Sequence, residues 1–337
     1  MRNYKYFWSL LPGLCTIWGN YAGGWWVLTN LIFSLVILAG VEWFFPEDNT
    51  NEKDENSIIP DMLLAIHVLF QVVSLSVLVY SIQSGRIVGG FVIGAALSTG
   101  IHSGSSSIVI AHELIHRRSR VWQFLGKLLL FSAMNVYFFV EHLRVHHKWV
   151  GTERDPATAR RGESLYFFFV RSAIGQARGA WKLETERLKK EGRSGFNLRN
   201  FVLASMLLLC LLVVLLYFVA GWTMVFAFLV QGFFAHFLLE YTNYIEHYGL
   251  KRSEKERTTE HHSWQTDKVI SRFVLIDLSR HADHHYYASK PYHTLLTYKD
   301  SPVLPGGYAS ALYLALLPPL WYKVIHRRLD DYTQHHA

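Results

Sequence analysis

From Phe201 to Leu239 the chain carries no aspartate, glutamate, lysine or arginine. An apolar run of that length exceeds what one helix needs to cross about 30 Å of hydrocarbon. Gly221 divides it into two crossings, 201–220 and 222–244, set back to back across a tight turn. Further apolar runs lie at 6–20, 24–45, 60–81 and 89–111. The fold these runs predict is an all-α integral membrane protein of six transmembrane helices, a single domain over 1–337. The polar remainder, 112–199 and 245–337, forms a histidine-rich helical cap outside the bilayer. An apolar piece at 121–140 would make a seventh span, but it would put neighbouring histidine clusters on opposite faces. An in-plane amphipathic helix is expected there instead.

Charge fixes the orientation. Of 33 lysines and arginines, only Arg86 falls on the face opposite the termini in the six-span layout. Basic residues gather on the cytoplasmic side, so the cap and both termini are expected in the cytoplasm. The acidic loop EDNTNEKDEN, at 47–56, does little to oppose this. The start MRNYKYFWSLLPGL resembles a signal peptide but lacks a convincing small-residue cleavage site, and it is read as an uncleaved first anchor. Gly90–Gly94 and Gly100–Gly104 stand at the spacing that lets helices approach closely in lipid.

Eighteen histidines are present, most of them in short clusters. AHELIHRR sets His112 and His116 four apart, EHLRVHHKW holds His142, His146 and His147, and RHADHH holds His281, His284 and His285. On a helix, side chains three or four apart stand side by side, so each cluster can aim imidazoles at one point. LLEYTNYIEHYGL adds His247, with Glu240 and Asn243 on the same stripe, placed to support it or to line the cavity beside it. Glu113, Glu141, Glu246 and Asp283 flank the histidines as carboxylates that brace ligands or form salt bridges.

The chain's two cysteines, Cys15 and Cys210, lie far apart in apolar runs, so a thiolate centre is excluded. Imidazole suits iron, copper, zinc or nickel, and eight or nine histidines are more than one ion with open positions needs. Two ions fit the count. A haem bundle would need histidines paired in mid-span, and the spacing of His67, His102 and His236 does not provide that. A metal transporter or sensor would likewise place ligands along the spans, whereas these stand at span ends.

HELIHRR, EHLRVHHKWVGTERDPATAR, NYIEHYGL, HHSW and LSRHADHH, in this order, resemble the membrane alkane monooxygenases, within the wider fatty-acid desaturase and hydroxylase superfamily. The resemblance implies a non-haem diiron site whose ligands are His112, His116, His142, His146, His147, His247, His281, His284 and His285. It implies that Asp155, in the Asp155-Pro156-Ala157 tract, supports the second cluster, and that His261 and His262 lie beside the site without being ligands. The chain departs from the family pattern at Val145, Arg154, Gln265, Ser279 and Ala282, while every histidine is kept.

The resemblance further implies O2-dependent hydroxylation of the terminal carbon of a hydrophobic substrate, a medium- or long-chain n-alkane first of all. The alternatives are hydroxylation of an alkylaromatic methyl group, or desaturation or hydroxylation of a fatty-acyl chain or terpenoid. Electrons would come from a rubredoxin- or ferredoxin-type carrier and its NAD(P)H-dependent reductase. The basic residues Arg117, Arg118, Arg160, Arg161, Lys189 and Lys190 offer an acidic carrier a landing surface, or bind anionic lipid. No nucleic-acid partner is expected. The setting implied is the bacterial inner membrane. Trp25, Trp26 and Trp43 are read as interface anchors rather than tunnel plugs.

Overall fold

The computed structural model describes residues 2–51 and 57–336; part of the acidic loop, 52–56, lies outside them. Among the described residues every regular element is helical and no strand forms. Three helical runs are long and apolar enough to cross a membrane: Gly24–Phe44, Ile58–Gln83 and Phe201–His247. The last of these does not run straight. A continuous helix would separate Phe201 from His236 by roughly 50 Å at about 1.5 Å per residue. Yet the Phe201 ring stands 5.4 Å from Phe139, and His236 bonds Tyr137 at 3.0 Å. The chain therefore folds back where Ala220 and Gly221 leave helical geometry, with Gly221 at φ 69°. A residue without Cβ takes that conformation at no steric cost.

The bundle exposes a broad apolar surface, including Leu208, Leu211, Phe218 and Trp222. In water such a surface would drive aggregation; in a bilayer it is the solvent-facing side. Trp25, Trp26 and Trp43 belong to this exposed surface too. The protein is a multi-pass membrane protein. Residues 121–132 lie within one helix, Arg120–Ser132, whose Val121 and Phe124 are exposed and whose Leu129 and Leu130 are buried in a core shared with Ile108, Ile115 and Phe138.

Buried polar side chains tie the helices together. Gln71 donates to Ser103 and Ser132, at 3.0 and 2.9 Å, and accepts from Ser107 at 2.7 Å. Ser103 in turn donates to Gln231 at 2.9 Å. His67 sits between Ser9 and Ser106, each 2.8 Å away. Away from water these pairs have no competing partner, which is why small polar residues serve as glue between helices in lipid.

The small-residue helix Phe91–His102 continues through a π turn, Ser103–Ser107, into Ile108–His116. It packs on Phe201–His247 through two of its glycines. A methyl group added at Gly100 would stand 2.9 Å from the Gln231 carbonyl oxygen, and one at Gly104 2.9 Å from Leu238. Gly90 has nothing within 4 Å. Of the two GxxxG pairs, only the second lies wholly in this helix contact; Gly94 faces Val27 and Leu28 instead. Gly100→Val should therefore lower stability by about 1–3 kcal/mol, and Gly90→Ala should shift it by less than about 0.5 kcal/mol. Thermal unfolding in detergent measures both.

Candidate metal centre

The histidine-rich region is built around the segment that carries three of the histidines. It enters from a turn in which Ile276 and Asp277 both adopt positive φ, 50° and 57°. A β-branched residue rarely tolerates that conformation, so surrounding contacts must hold it. Asp277 accepts from Arg272 at 2.6 Å and from the Tyr6 hydroxyl at 2.5 Å. Arg280, fully buried, pairs with Asp267 at 2.9 Å and caps the carbonyls of Leu295, Asp48 and Thr50. These clamps aim the short helix His281–Tyr286 at the centre of the cap.

EHLRVHH contributes through a second irregularity. Residues His142–His146 form a π turn. A turn that closes on i+5 brings His147 over His142, where an α-helical turn would bring only His146. The Nε2 atoms of His142 and His147 come within 3.0 Å.

The nine histidines named from the sequence gather into two groups. His112, His116, His142, His147 and His284 form one; His146, His247, His281 and His285 form the other. Within each group the candidate ligand nitrogens lie within 4.8 Å of one another. Neighbours in sequence are thus divided: His146 from His147, and His284 from His285. The groups share a wall, because the rings of His147 and His285 stack at 4.6 Å.

The first group passes a direct test of fit. The Nε2 atoms of His116, His142 and His147 stand 3.0–3.1 Å apart pairwise. Each nitrogen carries either a proton or a lone pair, so among three mutual neighbours at least two present the same face. Hydrogen bonding alone cannot satisfy the triangle; a shared cation can. Two nitrogens at right angles about an ion roughly 2.1 Å away stand about 3.0 Å apart, the separation found here. In the second group the inner nitrogens of His146, His247 and His285 are buried without a partner.

Burial, reinforced by neighbouring imidazoles, pushes His116 and His247 down to about 3. The same causes hold His112, His142, His147, His281, His284 and His285 well below the ordinary histidine range. They are therefore neutral near pH 7, the form that ligates metal.

The supporting carboxylates fall in varied places. Asp155 accepts from His146 Nδ1 at 2.9 Å and is itself fixed by Thr158 and the Ala157 amide. Glu246 stands 3.1 Å from His281 Nε2 and accepts from Tyr308 at 2.6 Å. Glu113 pairs with Arg117 at 2.7 Å. Asp283 points away, to Lys290, Tyr298 and the Leu296 amide. Glu141 is buried with Oε1 unpartnered. Glu240 does not support His247: it accepts from Gln176 at 2.7 Å and lies 3.5 Å from His236. His247 Nδ1 faces the His262 carbonyl and Ser263 hydroxyl instead, at 3.4 and 3.3 Å. The HHSW motif thus reaches the site through the His262 carbonyl and the Ser263 hydroxyl, and His261 bonds Tyr332.

Sequence reasoning did not find Arg272, Arg280 or Tyr308. An arginine placed directly before a ligand cluster was the available signal for Arg280. His67, His102 and His236 lie outside both groups. An apolar cavity of about 150 Å³ runs from Pro12, Ser34 and Leu35 between the helices to His112, His142 and His281. None of the departures at Val145, Arg154, Gln265, Ser279 and Ala282 lines it.

Nine mostly buried imidazoles, three of them lining an apolar cavity, on a bundle clad in apolar side chains, define a membrane protein with a histidine cluster able to hold metal. The family model for fatty acid desaturases matches residues 88–315, a stretch that includes all nine. The chain belongs to that family. It is 42% identical over 245 residues to alkane 1-monooxygenase 1 of Pseudomonas aeruginosa, which is 71% of this chain and 64% of that protein, just under two thirds of its length. Alkane 1-monooxygenase 2 of the same organism is 34% identical over 345 residues, 97% of this chain and 88% of that protein. The xylene/toluene monooxygenase hydroxylase component of Pseudomonas putida is 28% identical over 342 residues, 100% of this chain and 92% of that protein.

A partner group that fixes a histidine's tautomer controls how well it ligates, and losing one typically costs about 10- to 100-fold in metal affinity. Asp155→Asn should show a loss of that size, measured as metal retained through dialysis against graded chelator. Unchanged retention would assign Asp155 to the folding of its loop alone.

Proposed function

We propose that the chain is an O2-dependent non-haem diiron monooxygenase that hydroxylates the terminal carbon of a medium- or long-chain n-alkane, giving the primary alcohol. The observation that carries this reading is the apolar cavity, which meets both histidine groups at His112, His142 and His281. The chain's likeness to alkane 1-monooxygenases along nearly its whole length supports it.

In this reading the nine histidines hold two irons, His112, His116, His142, His147 and His284 on one, His146, His247, His281 and His285 on the other. Bound iron supplies the oxygen reduction and C–H cleavage that amino-acid side chains cannot perform. The protein's share is placement. Asp155 and the His262 carbonyl orient His146 and His247, and Glu246 stands beside His281. Leu238, Leu239, Leu278 and Leu312 keep the cavity wall apolar and exclude water. A hydrocarbon dissolved in lipid enters between the helices and meets the histidines with its chain end.

The membrane arrangement belongs to the same proposal: six spans in the bacterial inner membrane, with the cap and both termini cytoplasmic. Electrons come from a rubredoxin- or ferredoxin-type carrier with its reductase. Arg118, Lys189 and Lys190 remain exposed to meet it, whereas Arg117, Arg160 and Arg161 are tied to Glu113, Glu153 and Asp330. A second reading, hydroxylation of an alkylaromatic methyl group, is favoured by the end-to-end likeness to the xylene/toluene hydroxylase component. Both reactions oxidise a terminal methyl.

The test supplies the purified protein with a rubredoxin and reductase and offers n-octane, n-hexadecane, p-xylene and palmitate, with products identified by mass spectrometry. Primary alcohol from an alkane is expected, and none from His285→Ala. A double bond, or full activity in His285→Ala, would refute the assignment.

A further inference from the structure

Most polar side chains in the cavity wall, the histidines aside, are already held by the protein. Ser34 donates to Asn30, Ser105 to the Ile101 carbonyl, and Tyr241 to the Tyr308 carbonyl, at 2.8, 2.8 and 2.6 Å. Glu42 accepts from Ser271 at 2.5 Å and from the Ser310 amide at 2.8 Å, and Glu246 accepts from Tyr308. Two wall residues differ. Thr242 and Asn243 line the cavity and have no hydrogen-bond partner among the described residues. Asn243 is only 5% exposed, so the cavity is the one place where its amide can find a partner.

Their position is also specific. Both lie on the Phe201–His247 helix, Asn243 one turn before His247 and Thr242 one turn before Glu246. Residues four apart stack on one helix face, so the pair stands directly beside the histidine end of the cavity. The rest of the wall is largely apolar, with Leu35, Leu38, Ile101 and Leu312 among its residues, and its other polar side chains are already hydrogen-bonded. A pure hydrocarbon gives an amide and a hydroxyl nothing in return for their desolvation, and native proteins seldom leave such groups without a partner.

We propose that Asn243, with Thr242 beside it, is the hydrogen-bonding site for an oxygen on the substrate's terminal carbon, that of the primary alcohol. The ligand's identity rests on the hydroxylase reading above. The Asn243 amide donates to the alcohol oxygen through Nδ2 and accepts its proton through Oδ1; the Thr242 hydroxyl does either. In a low-dielectric cavity such bonds are stronger than in water. An alcohol is thereby held hydroxyl-first at the histidines, and the cavity discriminates it from the alkane of equal length. Asn243 is thus a positioning and specificity residue.

The test compares equilibrium binding of 1-octanol and n-octane to the full-length, metal-loaded protein, without oxygen or reductant so that no turnover occurs. The readout is the ratio of the two affinities by calorimetry. Any contribution of the metal to alcohol binding is common to all variants. Asn243→Leu should cut the octanol preference about 3- to 10-fold, Thr242→Val should cut it less, and Asn243→Ser should retain part of it. Loss of packing moves both affinities together and leaves the ratio in place. A ratio unchanged in Asn243→Leu and Thr242→Val overturns the proposal. If Asn243→Leu fails to fold, Thr242→Val and Asn243→Ser decide on the same criterion. Failure of the hydroxylase reading appears separately, as absence of alcohol in turnover while the ratio still responds to these substitutions.

Discussion

Three imidazole nitrogens, from His116, His142 and His147, face one another at 3.0–3.1 Å with no arrangement of protons that satisfies all of them. A cluster of this kind is unstable unless a cation fills it or the surroundings hold it closed. The rest of the cap does the holding. Arg272 and Arg280 lock the turn at Ile276 and Asp277, and Asp155 and the His262 carbonyl pin the outer nitrogens of His146 and His247. Below the cap, Gly100 and Gly104 let two helices close together, which keeps His112 and His116 in reach of the others.

Much of this was legible in the sequence. Apolar runs without charge announced a membrane bundle, and histidines at helical spacing announced metal chemistry. What spacing did not reveal is how the histidines divide between the two groups. Consecutive residues such as His146 and His147 serve different groups, and that outcome depends on a π turn. Hydrogen-bond register one residue wider than an α-helix carries no simple composition signal. Glu240 shows the opposite failure: it shares a helix stripe with His247, but tertiary packing gives its carboxylate to Gln176. Stripe arguments identify neighbours on one helix and are silent about partners brought in from another.

The positions where the chain departs from its relatives' pattern carry a related lesson. Val145, Arg154, Gln265, Ser279 and Ala282 lie within the histidine motifs, and motif divergence suggests altered substrate preference. None of them lines the cavity. Arg154 lies over Trp149 and pairs with Glu254, and Gln265 bonds Thr297 and the Tyr298 carbonyl, so these two serve the cap's framework. The cavity wall is assembled from several distant segments, through residues such as Pro12, Leu35, Ile101 and Leu312, which no local motif marks.

The two groups of histidines are proposed to hold two irons. Metal analysis of the protein purified without oxygen tests this most directly. The account predicts two iron atoms per chain, in a nitrogen-dominated coordination shell by X-ray absorption. One metal ion per chain, or zinc filling both groups in active protein, would contradict it.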